Sequence, residues 1–148
     1  MTFWDASVLV SLVVTDEPKS SQADEWYQAD SRIFAWTLSP VEILSGIYRK
    51  VRESRMNDEN LWIARSRWKD LVEMVTFITS IEDVKRAAGR VLALHPLRAS
   101  DALQLAAALV ACGHETSAHV FLTFDERLKS AALKEGFRVG LDPTSAER

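Results

Sequence analysis

Ser100-Asp101-Ala102-Leu103-Gln104-Leu105-Ala106-Ala107-Ala108-Leu109-Val110-Ala111-Cys112-Gly113 reads as one helix. Ser100 is placed to cap it, and Gly113 takes the position just past its end, where a left-handed residue closes a helix. Between them almost every side chain is apolar on every face, so the helix belongs at the centre of the molecule. Asp101 stands in its first turn. An acid at the mouth of a helix with almost no polar face is hard to turn fully into bulk solvent. The uncharged run Ala102–Gly113 is about half the ~20 residues that span a bilayer, and Gln104 interrupts it, so it reads as core rather than membrane.

A central helix of this kind needs apolar layers around it. On its N-terminal side, Ser80 is placed to cap a helix through Leu94, which His95-Pro96 stops. Val75–Ile78 reads as a strand. Asn57 caps a helix whose stripe Leu61, Ala64, Trp68, Leu71, Val72 and Val75 steps by three and four. Ser39-Pro40-Val41-Glu42 opens a further helix to about Glu53, with Ser39 as N-cap, Pro40 at the first position and Glu42 completing a capping box. Ile33–Trp36 and Thr2–Trp4 are short strands, and Ser20–Gln28 is a polar helix. Val8–Val14 fits a strand or a helix equally by periodicity. On the C-terminal side, Val120–Phe124 is an apolar strand, Asp125–Glu135 a helix ended by Gly136, and Phe137–Leu141 a last strand. Strands alternating with helices imply crossovers, hence a mostly parallel sheet with helices on both faces and right-handed connections. In such folds ligands bind beyond the carboxyl ends of the strands, near a switch point.

Composition agrees with this class. The chain has 148 residues, 47% hydrophobic and 26% charged, which suits a single domain over residues 1–148 and excludes intrinsic disorder. One cysteine, Cys112, permits no internal disulfide and suits a reducing, cytoplasmic setting. The start Met1-Thr2-Phe3-Trp4-Asp5 lacks the basic and apolar regions of a signal peptide. A net charge of −3 argues against wholesale electrostatic binding of nucleic acid but leaves room for a local basic patch.

Four carboxylates stand at strand ends or helix starts: Asp5, Glu42, Asp101 and Asp125. Each has a structural use, because acids in a first helical turn complement the dipole by about 0.3–1 kcal/mol. Together they suggest more. Carboxylates converging in one cleft repel each other and raise their pKa values unless a cation joins them. An all-oxygen site suits Mg2+ or Mn2+, which polarises a phosphoryl oxygen and acidifies bound water.

The segments Trp4-Asp5-Ala6-Ser7-Val8-Leu9-Val10, Ser39-Pro40-Val41-Glu42-Ile43-Leu44-Ser45-Gly46, Leu97-Arg98-Ala99-Ser100-Asp101-Ala102-Leu103-Gln104-Leu105-Ala106-Ala107-Ala108, Phe121-Leu122-Thr123-Phe124-Asp125 and Leu128–Phe137 resemble, in order and over nearly the whole chain, the PIN-domain ribonucleases, specifically the VapC-like toxins of type II toxin–antitoxin pairs. The resemblance implies a three-layer α/β/α fold around a central, mostly parallel five-stranded sheet, and places Val8–Val14 in the first helix. It implies Mg2+- or Mn2+-dependent cleavage of RNA phosphodiesters. Asp5 and Asp101 match the family's usual direct metal ligands, Glu42 and Asp125 the acids that help hold metal or water, and Ser7 and Thr123 the small hydroxyl positions that support the site. Water would attack phosphorus in line, the metal offsetting charge on the phosphoryl and leaving 3′ oxygens. The expected partners are a tRNA or rRNA substrate, a VapB-like antitoxin and a second copy in a homodimer, with no membrane association.

The remaining features rank below this set. His95, His114 and His119 make no acid–base pair of the kind a 2′-hydroxyl mechanism needs, and with Cys112 they make no convincing zinc set. Arg98, beside Asp101, is the candidate phosphate contact. Arg49, Lys50, Arg52 and Arg55 crowd one helix end, where cations also complement the dipole, and Arg65, Arg67 and Lys69 lie on the next helix. Of five tryptophans, Trp4, Trp36 and Trp68 read as core. Trp62 falls off the apolar stripe and could stack on a base, anchor a protein or simply be exposed. The alternatives in other classes are a PIN-like module that binds RNA or protein without cutting, and a phosphatase or DNA nuclease using the same acids.

Overall fold

Strand β1 (Thr2–Trp4) sends alternate side chains to opposite faces of its sheet, and the two cores of the molecule divide on that alternation. The computed structural model describes residues 1–15 and 18–141. Phe3 packs on one face and Trp4 on the other, both fully buried. In β2 (Ile33–Trp36), Ile33 and Ala35 join Trp4 while Trp36 joins Phe3. In β4 (Val120–Leu122), Val120 and Leu122 join Trp4 while Phe121 stacks on Phe3 at 5.2 Å between ring centroids. With β3 (Val75–Ile78) at the edge, the order is β3-β2-β1-β4, all parallel.

Helices cover both faces. On the Trp4 face lie α1 (Ala6–Val13), α2 (Ser20–Ala29), α3 (Ser39–Arg52) and α4 (Asp58–Val72); on the Phe3 face lie α5 (Ile81–Leu94), α6 (Ala99–Ala111) and α7 (Glu126–Lys134). This is a three-layer α/β/α arrangement. Helix α6 buries Ala102, Gln104, Leu105, Ala106, Ala107, Ala108 and Leu109, as its uniformly apolar sequence requires. Gly113 follows it at φ +60. Val8–Val13 is helical, within α1. Trp4, Trp36 and Trp68 are buried.

Among the described residues the expected five-stranded sheet has four strands. Residues 137–141 form no fifth strand; a single bridge joins Arg138 to Val120, with Phe121 N–H donating to Arg138 O and Arg138 N–H to His119 O. Phe137 N–H instead returns to Ala132 O at the end of α7, and Gly140 turns away at φ +94, so only one residue is left to pair. Strand β4 also ends at Leu122 rather than Phe124, and just beyond it the N–H groups of Phe124 and Asp125 are taken by side-chain hydroxyls.

Three caps differ from expectation, the first being Ser80, which holds the N-cap place of α5 but makes no side-chain cap bond. Helix α3 begins at Ser39 with Leu38 at its N-cap, and the Ser39 hydroxyl, completely buried, makes no cap. Helix α6 begins at Ala99 with Arg98 at its N-cap, so Ser100 lies inside the first turn. Asn57 caps α4 as expected, accepting from Asn60 N–H. Among the described residues no helix is long and apolar enough to cross a membrane.

The chain runs β1 to β2 to β3 on one side and returns to place β4 on the other side of β1. The switch point therefore lies at the carboxyl ends of β1 and β4, where Asp5 and Thr123 follow their strands directly.

Candidate active site

Asp5 leaves β1 with its N–H bonded to Leu122 O of β4 (2.9 Å), which holds it against the neighbouring strand end. It is the N-cap of α1 and only 4% exposed. Two hydroxyls converge on its Oδ2: Ser7 Oγ donates at 2.6 Å and Thr123 Oγ1 at 2.9 Å. Each hydroxyl also accepts a backbone N–H from the strand-end turn, Ser7 from Phe124 (3.1 Å) and Thr123 from Asp125 (3.0 Å). Ser7 and Thr123 thus weld the ends of β1 and β4 around one carboxylate. Burial pushes the Asp5 pKa above the ordinary range, and the hydroxyl bonds only partly oppose it.

Glu42 comes from the first turn of α3. No capping box forms. Its Oε1 instead accepts from Gln104 Nε2 of α6 at 2.9 Å, and Gln104 also pairs with the buried Ser39 hydroxyl. Partial burial raises the Glu42 pKa to about 7, with the charges of Asp5 and Asp101 adding to the rise and the Gln104 bond opposing it. Asp101, in the first turn of α6, is raised by burial and then by the charges of Asp5 and Asp125, and lowered by Arg98. Asp125 is the N-cap of α7, its Oδ1 accepting from Leu128 N–H at 2.8 Å, so it serves as a cap while its charge bears on Asp101. The structure brings all four acids to one electrostatic neighbourhood at the switch point. Arg98 stands at its exposed edge, as the N-cap of α6.

This donor set has the chemistry of a hard-cation site: carboxylate oxygens, with Asp5, Glu42 and Asp101 each pushed toward the protonated form. Among the described residues no three His, Cys, Asp or Glu side chains are spaced to chelate an ion by themselves. An all-oxygen donor set is the kind that hard divalent cations such as Mg2+ take.

A cleft of about 540 Å³ opens beside the acids, lined by Ser7, Glu42 and Ser100 and by Arg49, Lys50 and Arg55. Trp62 lies away from it, 70% exposed, in a separate hollow with Leu44, Arg65 and Lys69.

Gln104 is a site residue that the sequence motifs did not single out. Its signal was present: it is the one polar side chain after Asp101 within a helix otherwise apolar all round, one turn beyond the acid.

The PIN domain family model matches residues 2–134. The chain belongs to the PIN-domain family. Two relatives named Ribonuclease VapC45 and Ribonuclease VapC49, from two strains of Mycobacterium tuberculosis, are each 28% identical to this PIN domain over 146 residues, covering 97% of it and 99% of their own length. Among solved structures, FitAcB from Neisseria gonorrhoeae superposes with a TM-score of 0.63 at 13% identity, covering 97% of this chain and 99% of that one. PAE2754 from Pyrobaculum aerophilum does so with a TM-score of 0.58 at 18% identity, covering 97% and 90%. These two likenesses establish the fold of this PIN domain.

Proposed function

We propose that this PIN domain is a metal-dependent endoribonuclease and the toxin of a toxin–antitoxin pair, cutting tRNA or rRNA in the cytoplasm. The observation that carries the reading is the electrostatic coupling of Asp101 to Asp5, Glu42 and Asp125 near the switch point, in a chain similar over its length to two proteins named as VapC ribonucleases. A VapB-like antitoxin and a homodimer belong to the same proposal.

Asp5 and Asp101 would hold Mg2+ or Mn2+, with Glu42 and Asp125 completing the oxygen-lined site. When bound, the ion supplies Lewis-acid polarisation of the phosphoryl group and acidifies water. Ser7 and Thr123 fix the orientation of Asp5 through its Oδ2. Glu42, whose carboxylate Gln104 keeps aimed through a 2.9 Å bond, would help hold the metal or orient the attacking water and accept its proton. Water attacks phosphorus, the 3′ oxygen leaves, and the products carry 5′-phosphate and 3′-hydroxyl ends.

The test is end-group analysis of tRNA and rRNA digested with Mn2+ and with EDTA. Cleavage in Mn2+ alone, leaving 5′-phosphates, supports the reading. Cyclic 2′,3′-phosphate ends contradict it. The spacing of the acids, with no three of them set to chelate an ion directly among the described residues, favours one rival, a module that binds RNA without cutting. Retained RNA binding with no cleavage would establish that rival.

A further inference from the structure

The cleft beside the acids runs along α3. Glu42 and Arg49 both line it and stand seven residues apart, about 10 Å of helix rise. A phosphate held at Arg49 is therefore a neighbour of the one at the acids. The floor between is apolar, formed by Ala6, Val10 and Gly46. Gly46 brings α3 close to α1: a Cβ there would sit 3.4 Å from Val10.

The far wall carries Arg49 and Arg55. Beyond the helix end, Ser54 adopts φ +56, a left-handed conformation uncommon outside glycine, and Arg55 N–H folds back to bond Lys50 O at 2.9 Å. That turn returns Arg55 to the cleft. Its guanidinium touches Glu53 in an exposed ion pair, an interaction weak enough for a phosphate to replace.

Resting on the ribonuclease reading above, we infer that this cleft seats one unpaired nucleotide adjacent to the scissile phosphate, its base on the Val10/Gly46 floor and its phosphate between Arg49 and Arg55. A volume of about 540 Å³ suits a ligand of nucleotide size.

The experiment is fluorescence anisotropy of a short labelled single-stranded RNA in EDTA, with wild type, the double variant Arg49→Gln/Arg55→Gln, and Ser45→Phe, whose exposed position lines the cleft. Circular dichroism confirms that each is folded. The double variant should bind about tenfold more weakly, its salt slope falling by about 0.7 for each phosphate it no longer neutralises. Ser45→Phe should weaken binding with the salt slope unchanged. Wild-type affinity in both variants overturns the seat. So does displacement by polyglutamate as effective as by RNA together with no effect of Ser45→Phe, which marks a general polyanion surface. Wild type failing to cleave RNA in Mn2+ overturns the ribonuclease reading instead, while the EDTA binding data still judge the seat.

Discussion

Gln104 on α6 donates a 2.9 Å hydrogen bond to Glu42 Oε1 on α3, and so ties together two helices that each bring an acid to the site. The same side chain satisfies the buried Ser39 hydroxyl. Gln104→Leu leaves that hydroxyl without its partner, at a cost of about 1–3 kcal/mol in urea denaturation. It also removes a bond that favours the ionised Glu42, so the Glu42 midpoint should move above its value of about 7. An unchanged denaturation midpoint would contradict this role.

Asp5 is a buried carboxylate whose charge raises the pKa of both Glu42 and Asp101. Asp5→Asn removes that repulsion and keeps an oxygen to accept from Ser7 and Thr123. The metal-free variant should show a Tm equal to or above wild type, and titration calorimetry should show weaker Mn2+ binding. Collapse of the fold would show Asp5 to be structural.

Glu42 makes metal-free stability depend on pH with a definite sign. Its folded pKa, about 7, lies above the ordinary glutamate value of 4.5. Between those values the folded state binds more protons than the unfolded, so stability falls as pH rises from about 4.5 to 7 and levels off above. Denaturation in EDTA across this window should show the decline, to which Asp5 and Asp101, also raised, contribute, and Glu42→Gln should make it smaller. An identical pH dependence in the variant would remove Glu42 as its source.

Thr123 both donates to Asp5 and accepts from Asp125 N–H, linking the two strand ends. Thr123→Val breaks both bonds in a 6% exposed site, which should cost about 1–3 kcal/mol and lower the cleavage rate. Thr123→Ser keeps the hydroxyl and should restore most of the rate. Equal rates in Val and Ser variants would show that the hydroxyl does not position Asp5.

Much of this fold was legible because its strands alternate strictly between two apolar faces and its central helix has no polar one. What was missed depends on contacts distant in sequence. Ser39 and Glu42 fit a local capping box, yet Gln104, more than sixty residues on, claims both side chains. Phe137–Leu141 has the composition of a strand, but the end of α7 takes the Phe137 N–H and Gly140 breaks the extension. The four acids could be picked out by their places at element ends. Their electrostatic influence on one another, and the hydroxyls that hold Asp5, emerge only when β1 and β4 lie side by side.

Asp101 stands at the mouth of the central helix, under the charges of Asp5 and Asp125. The most direct measurement is Mn2+-dependent cleavage of total tRNA and rRNA by wild type and Asp101→Asn, with folding of both verified. Loss of a carboxylate that holds the metal should lower the rate by a factor of about 100 or more, the order seen when an electrostatic catalytic group is removed. Equal cleavage by the two proteins would contradict the account.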